Sequence, residues 1–376
     1  MALTELSCSQ VMAWRMRRHG LCERAPVEEA LDAVGRICGL HAQVMSSAEL
    51  ALWARVEELG REWVQEALWQ ERSLVKTWAM RGTLHLLPAR EYALWQSALS
   101  SYDHYLKPAW SRAFGLSPER LEELLAAVAS ALEGEPLTRE QLAAAVSEST
   151  GSAELGEKVL GSWGVYLKPA SFRGLLIFGP SAGTNVRFTR PNGWLEPSEP
   201  VEQEAALAEV TRRYLSAHGP ATREDLFRWW GGGTAARAGR RIEVLGEEVE
   251  QVSLEGKHAW MLRDQVGEAA GSEPHGVVRL LPAFDQYVVG ATRRAPALLA
   301  AEHAPRVYRK AGWISPVLLV DGRMAGVWRH ERKGRRLLVD IEPFEKQPKR
   351  VTAAAAAEAS RLAGFLGGEL TLSWSG

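Results

Sequence analysis

The 376-residue chain has no run of about 18 apolar residues, the length a membrane helix needs, so no membrane span is expected. Residues Met1 to Gln10 lack a basic stretch followed by an apolar one, so no secretory signal is read and a cytoplasmic location is expected. Cysteine is scarce. The three present, Cys8, Cys22 and Cys38, all precede residue 40 and have no partners further along the chain. That excludes a disulfide framework and a zinc-type ligand set, and reads as reduced, structural thiols. There is no Gly-rich phosphate loop and no metal-ligand spacing. No cofactor and no metal are expected.

Lysine is scarce as well. Nine of the 45 basic residues are lysine, leaving 36 arginines. Arginine carries a planar fork that suits phosphate and narrow grooves; a GC-rich coding sequence gives the same bias without function. A net charge of −1 argues weakly against nucleic acid. The acid is uneven, however. Helices such as Glu119 to Glu133 can carry negative charge on an outer face and leave a basic face inside a neutral total. At this length one ordinary core does not suffice, and two to four domains are expected. A hydrophobic content of 46% is that of a globular protein.

What is present is a repeated order of helix, turn, helix and hairpin. The first unit, residues 1–115, opens with a helix from Ser9 to Arg18, with Ser9 as cap. Helices Val27 to Cys38, Ala48 to Glu58 and Arg61 to Gln70 follow, and then a wing hairpin around Gly82. The second, residues 116–200, starts at Ser117-Pro118. It continues with Thr138 as cap and Gln141 three residues on, a helix near Gly156 to Tyr166, and strands around Gly174 to Gly179 and Asn185 to Thr189. The third, residues 201–270, has helices Glu202 to His218, Arg223 to Trp230 and Thr234 to Leu245, then strands Val249 to Leu254 and His258 to Leu262. This is the winged-helix order. Residues 271–376 change to strands, with Asp321-Gly322 and Lys333-Gly334 as hairpin turns. A helix from Ala353 to Leu366 and a strand from Glu369 to Trp374 close the chain.

His41-Ala42-Gln43 lies between two helical stretches. Residues i and i+2 share a face only where the backbone is extended. There the two polar side chains can reach one small object; a polar turn with a satisfied histidine is the plain alternative. Arg81, before the Gly82 turn, fits a phosphate clamp and equally a buried arginine paired to a carboxylate such as Asp285. Asp285 fits a structural role, or one in fixing the His41 tautomer or a water. His85 and Trp229-Trp230 read as packing. Thr222-Arg223, at a helix N-terminus, fits a phosphate site and equally a capped surface helix.

Three segments in order resemble one bacterial family, the winged-helix DNA glycosylases of the AlkZ/YcaQ type. They are Gly39-Leu40-His41-Ala42-Gln43 with Leu52-Trp53-Ala54-Arg55, Met80-Arg81-Gly82-Thr83-Leu84-His85-Leu86-Leu87-Pro88, and Leu280-Leu281-Pro282-Ala283-Phe284-Asp285-Gln286-Tyr287 with Gly290. The resemblance implies an α+β fold: three tandem winged-helix units and a C-terminal β-barrel, C-shaped around a DNA channel. It implies excision of alkylated bases, including bulky or crosslinked ones, from duplex DNA. The family's catalytic pair is Gln-x-Gln or Gln-x-Asp; Gln43 matches at the second position, and His41 replaces the first glutamine. His41 and Gln43 are thus the expected catalytic residues. Arg81, Asp285 and Tyr287 are expected to support them, and Arg55, Arg81, Thr222 and Arg223 to contact DNA. A monomer with no obligate protein partner is expected. No lysine lies near the motif, Lys76 being the closest in sequence, so a monofunctional enzyme is favoured over a lyase. The alternative is a non-catalytic winged-helix regulator, although three units and a barrel suit wrapping DNA better than reading an operator. A different hydrolase built on His41 is a third reading.

Overall fold

Turn chemistry sets the strand pairings. Asp321 and Gly322 both take positive φ, 46° and 84°, as a tight two-residue hairpin turn requires. They join strands Val317–Val320 and Arg323–Lys333. Glu255 and Gly256, at 48° and 80°, do the same for Val249–Leu254 and Lys257–Leu262. The computed structural model describes residues 3–161, 164–290 and 296–375. They form two compact units, each assembled from separate stretches of chain.

The first unit comprises Met1–Trp63, Arg212–Leu226 and Ile242–Gly376. Its largest sheet has five strands in the order Val278–Leu281, Val317–Val320, Arg323–Lys333, Arg336–Pro343, Glu369–Trp374. The first four are antiparallel neighbours, and the last pairs parallel to the fourth. A parallel neighbour needs a crossover, which helix Lys349–Leu366 supplies. Its buried positions Val351, Ala355, Glu358, Ala359, Leu362 and Ala363 recur at helical spacing and form one stripe. The helix stops where Gly367 turns left-handed at φ 71°. The sheet is open, with Val278–Leu281 and Glu369–Trp374 as its edges. The expected barrel is therefore corrected: no closed barrel exists among the described residues, because the final parallel strand ends the sheet at one edge and does not return to the first strand.

In the same unit, strand Thr4–Leu6 pairs parallel to Val249–Leu254. Leu6, Val11 and Trp14 share a core with Val252, Met261 and Val266. The first helix is Cys8–Arg18, and its cap is Ser7 rather than Ser9. Ser7 accepts from the Gln10 backbone N–H, and the Gln10 side chain accepts in return from the N–H of Ser7.

The second unit comprises Val64–Thr211 and Phe227–Arg241. Helices Pro118–Ala131, Arg139–Thr150 and Ala153–Gly161 are followed by hairpin Ile177–Ala182 and Asn185–Thr189. The expected capping box of Thr138 and Gln141 is formed. Residues 162 and 163, within the helix expected from Gly156 to Tyr166, lie outside the described residues. A second hairpin joins Leu74–Trp78 to Leu84–Pro88, with the Trp78 ring 4.7 Å from that of Phe178. Among the described residues no helix is long and apolar enough to cross a membrane.

Candidate active site

Helix Ala30–Arg36 is released by two successive left-handed residues, Cys38 at φ 62° and Gly39 at 88°. The second is a glycine, for which that conformation carries no side-chain penalty. The chain then extends as Leu40–His41 and turns into helix Met45–Trp53. His41 is 6% exposed, Ala42 is buried, and Gln43 is exposed. The strand ends at His41 and the backbone bends at Gln43, so the i, i+2 alternation does not carry through. Of the two, Gln43 is exposed and His41 keeps only a 6% exposed edge.

Three consecutive residues of the third motif grip this segment. The Phe284 ring stacks on His41 at 4.9 Å between centroids and 11° between planes. Asp285 takes the guanidinium of Arg55 bidentately, Nη1 to Oδ2 at 2.7 Å and Nη2 to Oδ1 at 2.8 Å. Gln286 Nε2 donates to the Gly39 carbonyl at 2.8 Å. Asp285 Oδ1 also accepts the backbone N–H of Tyr287 at 2.9 Å and caps helix Gln286–Val289. Arg55 Nη1 donates further to Ala51 O at 2.7 Å, which ties it back to the helix it follows. Both charged side chains are 0% exposed. A buried pair of this kind is tolerated because both carboxylate oxygens and both Nη groups meet fixed partners. Phe284 holds φ at +60°, uncommon for a bulky residue, and this bend sets ring, carboxylate and amide on three different targets.

A cleft of about 730 Å³ opens beside Val44, the residue after Gln43. Val44, Ser46 and Ser47 line it from the start of helix Met45–Trp53, Pro282 and Ala283 from the third motif, and Trp313 from a loop. Tyr287 sits behind, buried, with its hydroxyl donating to the Gly322 carbonyl at 2.9 Å; burial raises its phenol well above the ordinary value. Among the described residues no three His, Cys, Asp or Glu side chains gather as a metal site requires.

Residues 34–365 match the family described as DNA glycosylase AlkZ-like. An interstrand DNA cross-link repair glycosylase of Streptomyces sahachiroi is 38% identical over 366 residues, which cover 95% of this chain and 97% of that protein. The solved structure of Streptomyces sahachiroi DNA glycosylase AlkZ superposes with a TM-score of 0.90 at 36% identity, over 99% of this chain and 100% of that one. The chain belongs to the AlkZ-like DNA glycosylases. Its fold is the mixed α/β fold of that structure.

Within this AlkZ-like chain several expected site residues take other places. Arg55 was expected at the DNA; its guanidinium is instead enclosed against Asp285 and cannot reach a phosphate. Asp285 is expected to contact a basic or polar group of residues 1–115, with Arg81 or His41 as candidates; the basic group is Arg55, which takes both its oxygens. Arg81 belongs to the second unit, where it is half-buried at φ 59° and donates to the Trp229 carbonyl. Tyr102, whose hydroxyl accepts the Arg81 backbone N–H, donates to the Trp230 carbonyl. Thr222 exchanges hydrogen bonds with Asp225, the hydroxyl donating at 2.7 Å and the backbone N–H at 3.0 Å. It is a capping box, with its hydroxyl already engaged. Arg223 is exposed and paired to Glu224 at 2.8 Å.

Phe284, Gln286 and Trp313 were not singled out. The first two flank Asp285 inside a quoted motif, and their polarity and size were the available signal. Trp313 is an isolated aromatic with no sequence pattern around it. The sequence also carries Gly179-Pro180-Ser181-Ala182-Gly183, with the spacing of a hydrolase nucleophile turn. Ser181 lies near the tip of a β-hairpin with no helix after it, which is not the strand–turn–helix that such a nucleophile needs.

Proposed function

We propose that this glycosylase is monofunctional and hydrolyses the N-glycosidic bond of alkylated purines, N7-alkylated ones first, in duplex DNA, acting as a monomer. The observation that carries the reading is the clamp of Phe284, Asp285 and Gln286 on the His41 segment, with Gln43 left exposed next to Val44, which lines a cleft. An N7-alkylpurine is cationic, so it leaves with the electron pair of the C1′–N9 bond without acid help. The sugar becomes oxocarbenium-like, and a water oxygen bonds to C1′. The Gln43 amide is suited to hold that water. His41, as a neutral imidazole, is suited to take the water's proton, and its stacking on Phe284 fixes the ring. A damaged base costs least to extrude.

Crosslinked purines are included because the Streptomyces sahachiroi relative is named for interstrand cross-link repair. Residues 1–115, 116–200 and 201–270 are proposed as winged-helix units and 271–376 as the β-rich domain. Arg81 and Arg223 are proposed to meet the DNA backbone, with Thr222 at the adjoining helix start. A cytoplasmic, DNA-associated location follows from this reading.

The test is single-turnover excision from N7-methylguanine duplex, read by alkaline cleavage of the abasic product. Gln43→Ala should slow excision at least about tenfold with DNA affinity nearly unchanged, the scale of a lost water-positioning group. His41→Gln restores the commoner family pair and should keep substantial activity. A wild-type protein that releases no base from any alkylated duplex would overturn the reading.

A further inference from the structure

Two buried tyrosines hold a charged turn on the second unit. Tyr102 and Tyr105 are each 3% exposed, and both pack on Phe172, with ring centroids 4.8 Å and 6.5 Å away. The Tyr102 hydroxyl donates to the Trp230 carbonyl. The chain here makes one tight turn, His104–Leu106, closed by the Leu106 N–H on the Asp103 carbonyl at 3.0 Å. With the two aromatic side chains anchored inside, Asp103, His104 and Lys107 face outward. Two other segments bring cations to them. Lys168 lies four residues before Phe172 on the same short helix, and its ammonium rests against the Gly82 turn, 3.5 Å from where a Cβ on Gly82 would stand. Arg237 comes from helix Ala235–Val244. That helix can approach because Gly232, shortly before it, has no side chain; a Cβ there would overlap the Tyr102 ring.

Charge in this cluster does not balance. Asp103 serves Lys107 at 3.6 Å and Arg237 at 3.2 Å, one carboxylate for two cations. Lys168 has no carboxylate partner among the described residues, and burial lowers its ammonium pKa with no anion acting against it. His104 feels its neighbours: burial lowers its pKa, Lys168 and Lys107 push the same way, and Asp103 opposes them. It is therefore neutral near pH 7 and carries one ring N–H to donate. Three cations thus share one anion. The side chains of Asp103, Lys107 and Arg237 are all more than a third exposed, so their pairs hold weakly and an incoming anion can replace the carboxylate.

We propose that His104, Lys107, Lys168 and Arg237 form a seat for a phosphodiester of the duplex, and that Asp103 occupies this seat in the free protein as a stand-in for the phosphate. The proposal rests on the reading above that the substrate is duplex DNA. Lys107 and Arg237 must leave the Asp103 carboxylate before they reach the strand, and the carboxylate repels the phosphate that replaces it. Asp103 therefore lowers the grip on any duplex without removing a cation, and speeds release from undamaged DNA.

The test is the affinity of the full chain for an undamaged duplex across a salt series, with a melting temperature read for every variant. Asp103→Asn keeps the shape and removes the competing charge. It should tighten binding about threefold or more, the scale of two surface pairs that no longer have to be broken; an aspartate that only supports the turn would give weaker binding or no change. In a Lys107→Gln, Arg237→Gln background the same Asp103→Asn change should bring no gain. Lys168→Gln should weaken binding and reduce the slope of log affinity against log salt by about one, and Lys168→Arg should keep the slope. Unchanged or weaker binding by a folded Asp103→Asn protein overturns the stand-in. A wild-type slope in Lys168→Gln overturns the seat, and decides it even where Asp103→Asn does not fold. None of these readouts needs excision. A wild type that binds duplex with these variant effects but releases no alkylated base sinks the glycosylase reading and leaves the seat; a wild type that excises while Asp103→Asn and Lys168→Gln bind as it does sinks the seat alone.

Discussion

Asp285 is an anion shut away from water, and among the described residues its counter-charge within hydrogen-bond reach is Arg55, equally enclosed. Removing both from water is expensive, and their attraction with the added bonds from Tyr287 and to Ala51 offsets that cost. Breaking the pair from one side leaves a naked buried charge. Asp285→Ala should therefore lower unfolding free energy by about 3–5 kcal/mol, seen as a lower urea midpoint. The paired change Arg55→Leu with Asp285→Leu should recover much of the loss, since no charge is then stranded. An Asp285→Ala protein as stable as wild type would refute the account. Excision should fall with Asp285→Ala even where the protein remains folded, because Phe284 and Gln286, its chain neighbours, hold His41 and Gly39 in place.

Three helix ends meet behind the site. His19 follows helix Cys8–Arg18, His218 ends helix Gln203–His218, and Tyr287 lies in the first turn of Gln286–Val289. The His19 ring lies 4.9 Å from that of His218 and 5.3 Å from that of Tyr287. Burial holds the His19 pKa well below the ordinary value, and His218, Arg55 and Arg15 push the same way. The unfolded chain takes up this proton below about pH 6.5, and the folded chain only at a lower pH. Between those two points the unfolded state binds more protons, so stability falls with acidification and is flat above. The expected slope is about 1.4 kcal/mol per pH unit for this one group, and His19→Gln should remove that share from a pH series of urea midpoints. An identical acid limb in the variant would show that His19 is not its source. Legibility followed range. Caps and turns such as Thr138–Gln141 and Asp321-Gly322 were readable because their chemistry lies within four residues. The pairing of Thr4–Leu6 with Val249–Leu254 and the bond of Arg55 to Asp285 join positions more than 200 residues apart, which no local pattern encodes. Gly290 was readable as part of a motif, but its reason was not: a Cβ there would lie 2.3 Å from His218 Cε1.

At the scale of the whole chain, a net charge of −1 and a DNA substrate are reconciled by where the arginines are spent. Many are consumed internally: Arg55 on Asp285, Arg24 and Arg279 on Glu358, Arg173 on Glu122, Arg212 on Glu248. The enclosed ones, on Asp285 and Glu358, contribute to the composition and nothing to a phosphate. What remains for DNA is a smaller exposed set, among which Arg223 is paired to its neighbour Glu224, a surface contact of little worth that a phosphate can replace. Binding to duplex DNA should then be sequence-tolerant and fall with salt at a slope of about 0.9 per phosphate contacted. With six contacts the loss between 50 and 200 mM salt is about a thousandfold. Arg223→Ala should reduce the slope by about one if that side chain meets a phosphate. Conservative change at Thr222 to Ser, which preserves the cap, should leave the slope as it was. Affinity that does not vary between low and physiological salt would mean that the exposed arginines face no backbone, and that excision, if it occurs, depends on contacts to the base alone.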